Sequence, residues 1–164
     1  MLYRIPLYMS LGLVTEVLFT GFVDLAAPRF LESWRVKNPD PRNRAAPSRS
    51  DPRAVGYTFL WMIPCYALLV FLEPLTAWLS AWPLWLRGFV YLPLFWMGEY
   101  TTGFLIKKIS GYCPWDYSYS KYSLHGYIRW DFGPLWYAFT LIVDIFSRKF
   151  ILLTPAIKAV LNLA

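Results

Sequence analysis

Four apolar runs, over residues 5–25, 56–72, 88–106 and 133–153, set the terms for any fold this 164-residue chain can reach. A helix needs roughly 20 apolar residues to cross about 30 Å of hydrocarbon, and each run is near that length. None sustains a period-2 alternation, and all exceed the roughly 9 to 11 residues of a membrane barrel strand. The rest of the chain offers little polar shell for a soluble domain: 16% of the residues are charged, 57% are hydrophobic, and the charges are bunched rather than spread. Disordered, collagenous and disulfide-scaffold classes are excluded by the same values. The sequence predicts an all-α polytopic membrane protein, a four-helix transmembrane bundle with an aromatic-rich interfacial loop, built as one membrane domain over 1–164.

Arg4 ahead of an apolar run, with Leu25, Ala26 and Ala27 after it, has the outline of a secretory signal. Glu16 and Asp24 interrupt what should be a uniformly apolar stretch, so the expectation is a retained first helix. Residues 28–54 form a linker with seven Lys/Arg against three acids, and its Pro, Asn and Ser content predicts a loop with a short interfacial helix around 30–34. Lys and Arg number 11 on the side of the first and third loops and 5 on the other. Positive loops stay cytoplasmic, which predicts both termini outside and an integral protein of the cell's inner (plasma) membrane. The net charge of +6 then belongs with anionic lipid headgroups rather than nucleic acid. Cys65 and Cys113 have no metal-ligand spacing and are expected to stay free, with no metal and no cofactor.

Glu16 lies 11 residues into the first run and Glu99 lies 11 into the third, so each is about 16 Å deep at 1.5 Å per residue. Odd-numbered spans run the same way, which puts both carboxyls near the midplane, where they could meet. A charge at a helix centre costs roughly 2.5 to 3.5 kcal/mol, and no Lys or Arg lies in the first three runs to pair with them. Either the acids are protonated and bond a neighbouring helix, or they bind a cation, a proton or the positive end of a substrate. At least one is expected to be neutral when no cation is bound. Tyr8, Gly12, Glu16, Thr20 and Asp24 follow at i+4 along one helix face, and Glu99 shares a face with Thr102 and Gly103. The predicted binding set is Glu16, Glu99, Thr20 and Thr102, with Trp115 and Asp116 from the loop that follows the third run. Asp144 is expected to pair with Arg148 one turn later, and Glu73, beside Pro74, to cap the second span at the interface.

Residues 112–137 hold ten aromatic side chains, a density suited to the headgroup zone. Among them, His125, Arg129 and Asp131 are candidate catalytic groups, with Arg129 gripping a phosphate and His125 or Asp131 moving a proton. Helical spacing would put His125 and Arg129 on one face. No HExxH, GxSxG or phosphate-binding glycine loop accompanies them.

Glu99-Tyr100-Thr101-Thr102-Gly103-Phe104, followed in the next loop by Cys113-Pro114-Trp115-Asp116-Tyr117-Ser118, resembles the signature of the transmembrane protein 229 family. That family is grouped with bacterial CmpB-like proteins named as ABC-transporter type IV permeases. Thr15-Glu16-Val17-Leu18-Phe19-Thr20 resembles its N-terminal motif, and Gly56-Tyr57-Thr58-Phe59-Leu60-Trp61-Met62 with Pro64 and Tyr66 its second-helix motif. The chain departs from the pattern in its long 28–54 loop and its apolar extension past Phe150. The resemblance implies a small polytopic membrane protein whose two shared glutamates are the two that depth selects. With no Walker motif in the sequence, ATP-driven movement would need a separate subunit.

These readings converge on permease-like transport, or a membrane subunit of a larger complex, with Glu16 and Glu99 as a buried polar site and Trp115 and Asp116 fixing the loop over it. The alternatives are a membrane-embedded enzyme acting on lipid headgroups through the His125, Arg129 and Asp131 group with Asp116, and a non-catalytic structural subunit. Expected partners are a bilayer with anionic lipids and either further copies of the chain or other membrane subunits, since four helices enclose little room.

Overall fold

The computed structural model describes residues 1–26, 56, 58–118 and 120–161, without the side chains of 22–26. The predicted linker 28–54, with its interfacial helix, lies outside the described residues. A single 3-10 turn, Leu2–Arg4, leads into α1, Ile5–Ala26. Its 22 residues rise about 33 Å at 1.5 Å each, enough to cross hydrocarbon.

The second helical stretch is made of pieces: α2, Met62–Ala67; a 3-10 segment, Leu68–Leu72; α3, Glu73–Trp78; and a 3-10 turn, Leu79–Ala81. Pro74 explains the change of winding. It has no N–H to give to Val70, and Val70 O instead accepts the Glu73 N–H in the tighter 3-10 pattern. This stretch begins later and ends later than the predicted 56–72, because the described residues before Met62 form no helix and end in a turn at Leu60 and Trp61.

The longest helix, α4, runs from Leu84 to Ser110 and tolerates Pro93 inside it. It stops at Gly111, whose φ of 80° is readily adopted only without a Cβ, and the Gly111 N–H closes on Lys107 O at 2.9 Å. A small hairpin follows, with β1 (Ser123–Leu124) antiparallel to β2 (Ile128–Arg129). Both His125 and Gly126 have positive φ, and the Tyr127 N–H bonds Leu124 O, the pattern of a tight turn between strands. The hairpin corrects the expectation of helix there: His125 sits at the turn and Arg129 in a strand, so they share no helix face. After it come α5, Gly133–Leu152, and α6, Thr154–Val160, with a proline in the first turn of each.

Packing runs α1 on α2, α4 on α5 and α3 on α5. One apolar core joins Tyr8, Tyr66, Val70, Phe139, Val143 and Phe150, with the Tyr8 and Phe150 rings edge to face at 5.1 Å. A second, around Ile106, Cys113, Trp115, Tyr117 and Tyr127, pins the hairpin loop to the end of α4. Leu2–Gly21 and Met62–Ala81 are long and apolar enough to cross a membrane. The fold is otherwise as helical as predicted, and large apolar side chains stay outside: Leu18, Phe71, Phe89 and Met97 are each 60% exposed or more.

Charge, by contrast, is inside. Glu73, expected as an interfacial cap, is 5% exposed and holds Arg4 through two hydrogen bonds, one from Nε at 2.6 Å, while the Tyr8 hydroxyl donates to it at 3.1 Å. The cap reading fails because the helix continues past Pro74 and folds Glu73 against the start of α1. Arg4 also donates to Thr154. Asp144 takes Arg87 as its nearest partner, at 2.5 Å, with Tyr91 donating at 2.9 Å. Arg148, the predicted partner, stands further away at 3.4 Å. Sequence spacing exposes an i, i+4 pair but not a cation arriving on the neighbouring antiparallel helix.

Candidate functional site

Twelve residues, about 18 Å of helix, separate Arg4 from Glu16 and Arg87 from Glu99. Each glutamate is thus well removed from the ion pair at the start of its own helix. Their helices present them to α2, which stands between. Glu16 Oε2 accepts from Thr58 Oγ1 at 2.7 Å and from the Tyr66 hydroxyl at 3.0 Å. Local geometry makes this possible: Gly12, one turn before Glu16, lies against the Tyr66 ring so closely that an added methyl would overlap it.

The Tyr66 ring also lines a cavity of about 150 Å³ with Met62, Cys65, Glu99, Thr102 and Trp115. That exceeds several times the roughly 30 Å³ a water occupies in the liquid. Glu99 Oε2 is sealed from the surface and has no hydrogen-bond partner among the described residues, while Tyr117 is the hydrogen-bonding neighbour of its carboxyl group. A buried carboxyl oxygen left unmet is uncommon. Cys65 and Thr102 are hydrogen-bonding neighbours across the same space, and both acids bear on Tyr66 electrostatically. Neither glutamate is a hydrogen-bonding neighbour of the other; the residue they share is Tyr66.

The remaining predicted residues divide. Thr102 lines the cavity and returns its hydroxyl to Gly98 O at 2.7 Å. Thr20 bonds back to Glu16 O at 2.9 Å, along its own helix. Trp115 lines the cavity, anchored by its Nε1 on Tyr127 O at 3.2 Å. Gly103 permits that packing, since a Cβ there would stand 3.1 Å from the Tyr127 ring, 3.3 Å from Trp115 and 3.4 Å from Cys113 Sγ. Asp116 accepts from the Ser118 N–H at 2.9 Å and hydroxyl at 2.5 Å, a side-chain-made turn that shapes the loop. The two halves of the motif, Glu99 to Gly103 and Cys113 to Ser118, are therefore one packed unit.

His125, Arg129 and Asp131 are placed differently. His125 Nδ1 and the Tyr100 hydroxyl hydrogen-bond at 2.9 Å. Arg129 grips Asp131 through both oxygens, at 2.8 and 2.6 Å, and its guanidinium lies 4.1 Å over the Phe132 ring. That guanidinium holds the Asp131 carboxyl below the ordinary carboxylate range. Among the described residues no group of three or more His, Cys, Asp or Glu gathers as a metal site.

Thr58, Tyr66 and Tyr117, which the sequence offered only as members of the family-like motifs, enter the site as hydrogen-bonding neighbours of the two acids. No spacing rule links Tyr66 to Gly12 or Glu16, since the two helices are joined there by packing.

The family model described as "Putative ABC-transporter type IV" matches residues 55–161. No solved structure matches the chain.

Proposed function

The chain belongs to this ABC-transporter type IV family, and from that premise we propose that it is a permease-like integral membrane protein that carries or binds a cation at Glu16 and Glu99. Family membership and the two apolar helices associate the chain with a membrane and with transport. In this proposal α4 and α5 cross as well, making four spans in the inner membrane. What supports it is the inverted distribution of polarity, with Phe89, Met97, Ile145 and Phe146 outside and Arg87 and Asp144 inside.

One observation carries the site: Glu99 Oε2 is unmet beside a cavity that also reaches Tyr66, the residue bonded to Glu16. An acid that gives up or takes on a proton, or meets a cation, in step with its neighbour's hydrogen bond is a workable relay through hydrocarbon. Trp115, held by Gly103 and Tyr127, closes the cavity toward the loop. ATP-driven movement would require a partner subunit, and a four-helix unit would act with further copies or other membrane chains.

The test is flux in vesicles containing the full chain, followed with a pH-sensitive dye and with sodium, potassium and magnesium in turn. Glu99→Gln and Glu16→Gln should each abolish the flux while leaving insertion and yield unchanged. Wild-type flux in both variants would remove the site.

A further inference from the structure

The end of the bundle that carries the ion pairs also holds a larger cleft, about 520 Å³, that the glutamate site does not use. It is lined by Thr76 and Ser80 from the second stretch, Arg87 from α4, and Asp144, Arg148 and Lys149 from α5. Three cations thus face one carboxylate. That carboxylate is already engaged by Arg87 and Tyr91. Formal charge in the cleft is left positive by two.

The cations are also short of acceptors. Arg148 Nε stands 3.4 Å from Asp144 Oδ2 without hydrogen-bond geometry, and Arg148 Nη2 and Arg87 Nε are buried with no hydrogen-bond partner among the described residues. Arg87 itself is 8% exposed. Buried guanidinium N–H groups without acceptors are costly and uncommon, so the arrangement suits a ligand that brings oxygens. Leu84, the first residue of α4, lines the same cleft, so the positive end of a 27-residue helix lies beside it.

We propose that this cleft binds a phosphate group, with the Arg148 guanidinium as its principal partner, Lys149 as a second charge and the Ser80 hydroxyl as a further donor. A guanidinium presents paired N–H groups that match two phosphate oxygens, and its weak hydration favours such pairing in a half-buried site. Where α4 begins and α5 ends is also where a phospholipid headgroup would sit if these helices cross. A lipid phosphodiester and free inorganic phosphate offer the same chemistry there.

The full chain, stripped of lipid in a neutral detergent, is titrated with inorganic phosphate and separately with short-chain phosphatidylglycerol, and bound adducts are read by native mass spectrometry. At least one of the two should saturate a single site. Its affinity should fall about tenfold in Arg148→Gln, the loss of one charge-assisted hydrogen bond, and measurably in Lys149→Gln. Lys149 is exposed, so that variant keeps the test alive if Arg148→Gln fails to fold. Lys158→Gln, outside the cleft, should bind as wild type. Saturation by phosphatidylglycerol alone assigns a lipid headgroup; saturation by phosphate assigns a soluble anion. Binding of neither, equal affinity in wild type and the cleft variants, or an equal loss in Lys158→Gln overturns the proposal.

Discussion

The Tyr66 ring lies across Gly12, and its hydroxyl reaches Glu16, one turn further along α1, at 3.0 Å. Close approach and hydrogen bond are a single feature, because i and i+4 share a helix face and only a residue without a side chain lets the ring lie flat enough to extend along it. The same ring is one wall of the cavity at Glu99. Anything that moves Tyr66 is therefore felt at both acids.

Gly12→Ala tests this directly. A methyl at that position overlaps the ring, which is wedged in the core with Tyr8 and Phe139, so the helices must separate. Overpacking of this kind costs about 1 to 3 kcal/mol, and thermal unfolding in detergent should come several degrees lower. Gly98→Ala is the matched control: nothing lies within 4 Å of its Cβ position, and replacing a helix-interior glycine should stabilise by about 0.5 to 1 kcal/mol. A Gly12→Ala protein as stable as the Gly98→Ala one would show that Tyr66 can yield.

Asp144→Asn removes the counter-charge from Arg87, which is 8% exposed, and leaves Arg148 beside it. Breaking one side of a buried pair costs about 3 to 5 kcal/mol, since the remaining charge keeps its desolvation penalty. Replacing both by apolar residues, Asp144→Leu with Arg87→Met, should recover most of that loss. Chemical denaturation of the two variants separates the cases, and an equal loss in both would mean that the pair contributes chiefly through its shape.

Which parts were legible from sequence follows from these contacts. The helices announced themselves through apolar runs, because burying or immersing a helix needs that much apolar length. The two acids announced themselves too, as charges where hydrocarbon should be. Their relation did not: both bear on Tyr66, and that depends on which helix stands between. Glu73 was misjudged and Asp144 only half read, for one reason: the i, i+4 pair of Asp144 with Arg148 is present, but the nearer cations, Arg4 for Glu73 and Arg87 for Asp144, come 69 and 57 residues away in sequence, beyond any local spacing rule. The hairpin around His125 was hidden because its strands are two residues long and its turn uses a histidine at positive φ.

Cys113 offers a chemical probe of the loop. Its thiol is buried against Gly103, and burial pushes its pKa up to about 12. The reactive thiolate is then nearly absent at pH 8, and alkylation by iodoacetamide should be slower by about two orders of magnitude or more than in the unfolded chain, where the thiol titrates near 8.5. Gly103→Ala should speed it, because the new methyl presses on Tyr127, Trp115 and Cys113 together. Peptide mapping separates Cys113 from Cys65. Rapid labelling of Cys113 in the folded wild type would mean that the loop does not stay packed on α4.

The Arg129 and Asp131 pair makes a prediction about acid. Hydrogen bonds and charge from Arg129 hold the Asp131 carboxyl below its ordinary value of 3.8, so the folded protein binds that proton less readily than the unfolded chain does. A group with a depressed folded value contributes stability that is present above the unfolded pKa and is lost as pH falls through the folded one. The side chain of Asp131 is 31% exposed, which limits the pair to about 1 kcal/mol or less, or some 2 to 4 °C in unfolding temperature. Asp131→Asn should therefore unfold at a lower temperature than wild type at pH 7, with the gap closing below pH 4 as the wild-type carboxyl takes up its proton. A gap of the same size at pH 2.5 and pH 7 would show that the asparagine disturbs the hairpin by its shape and not by its missing charge.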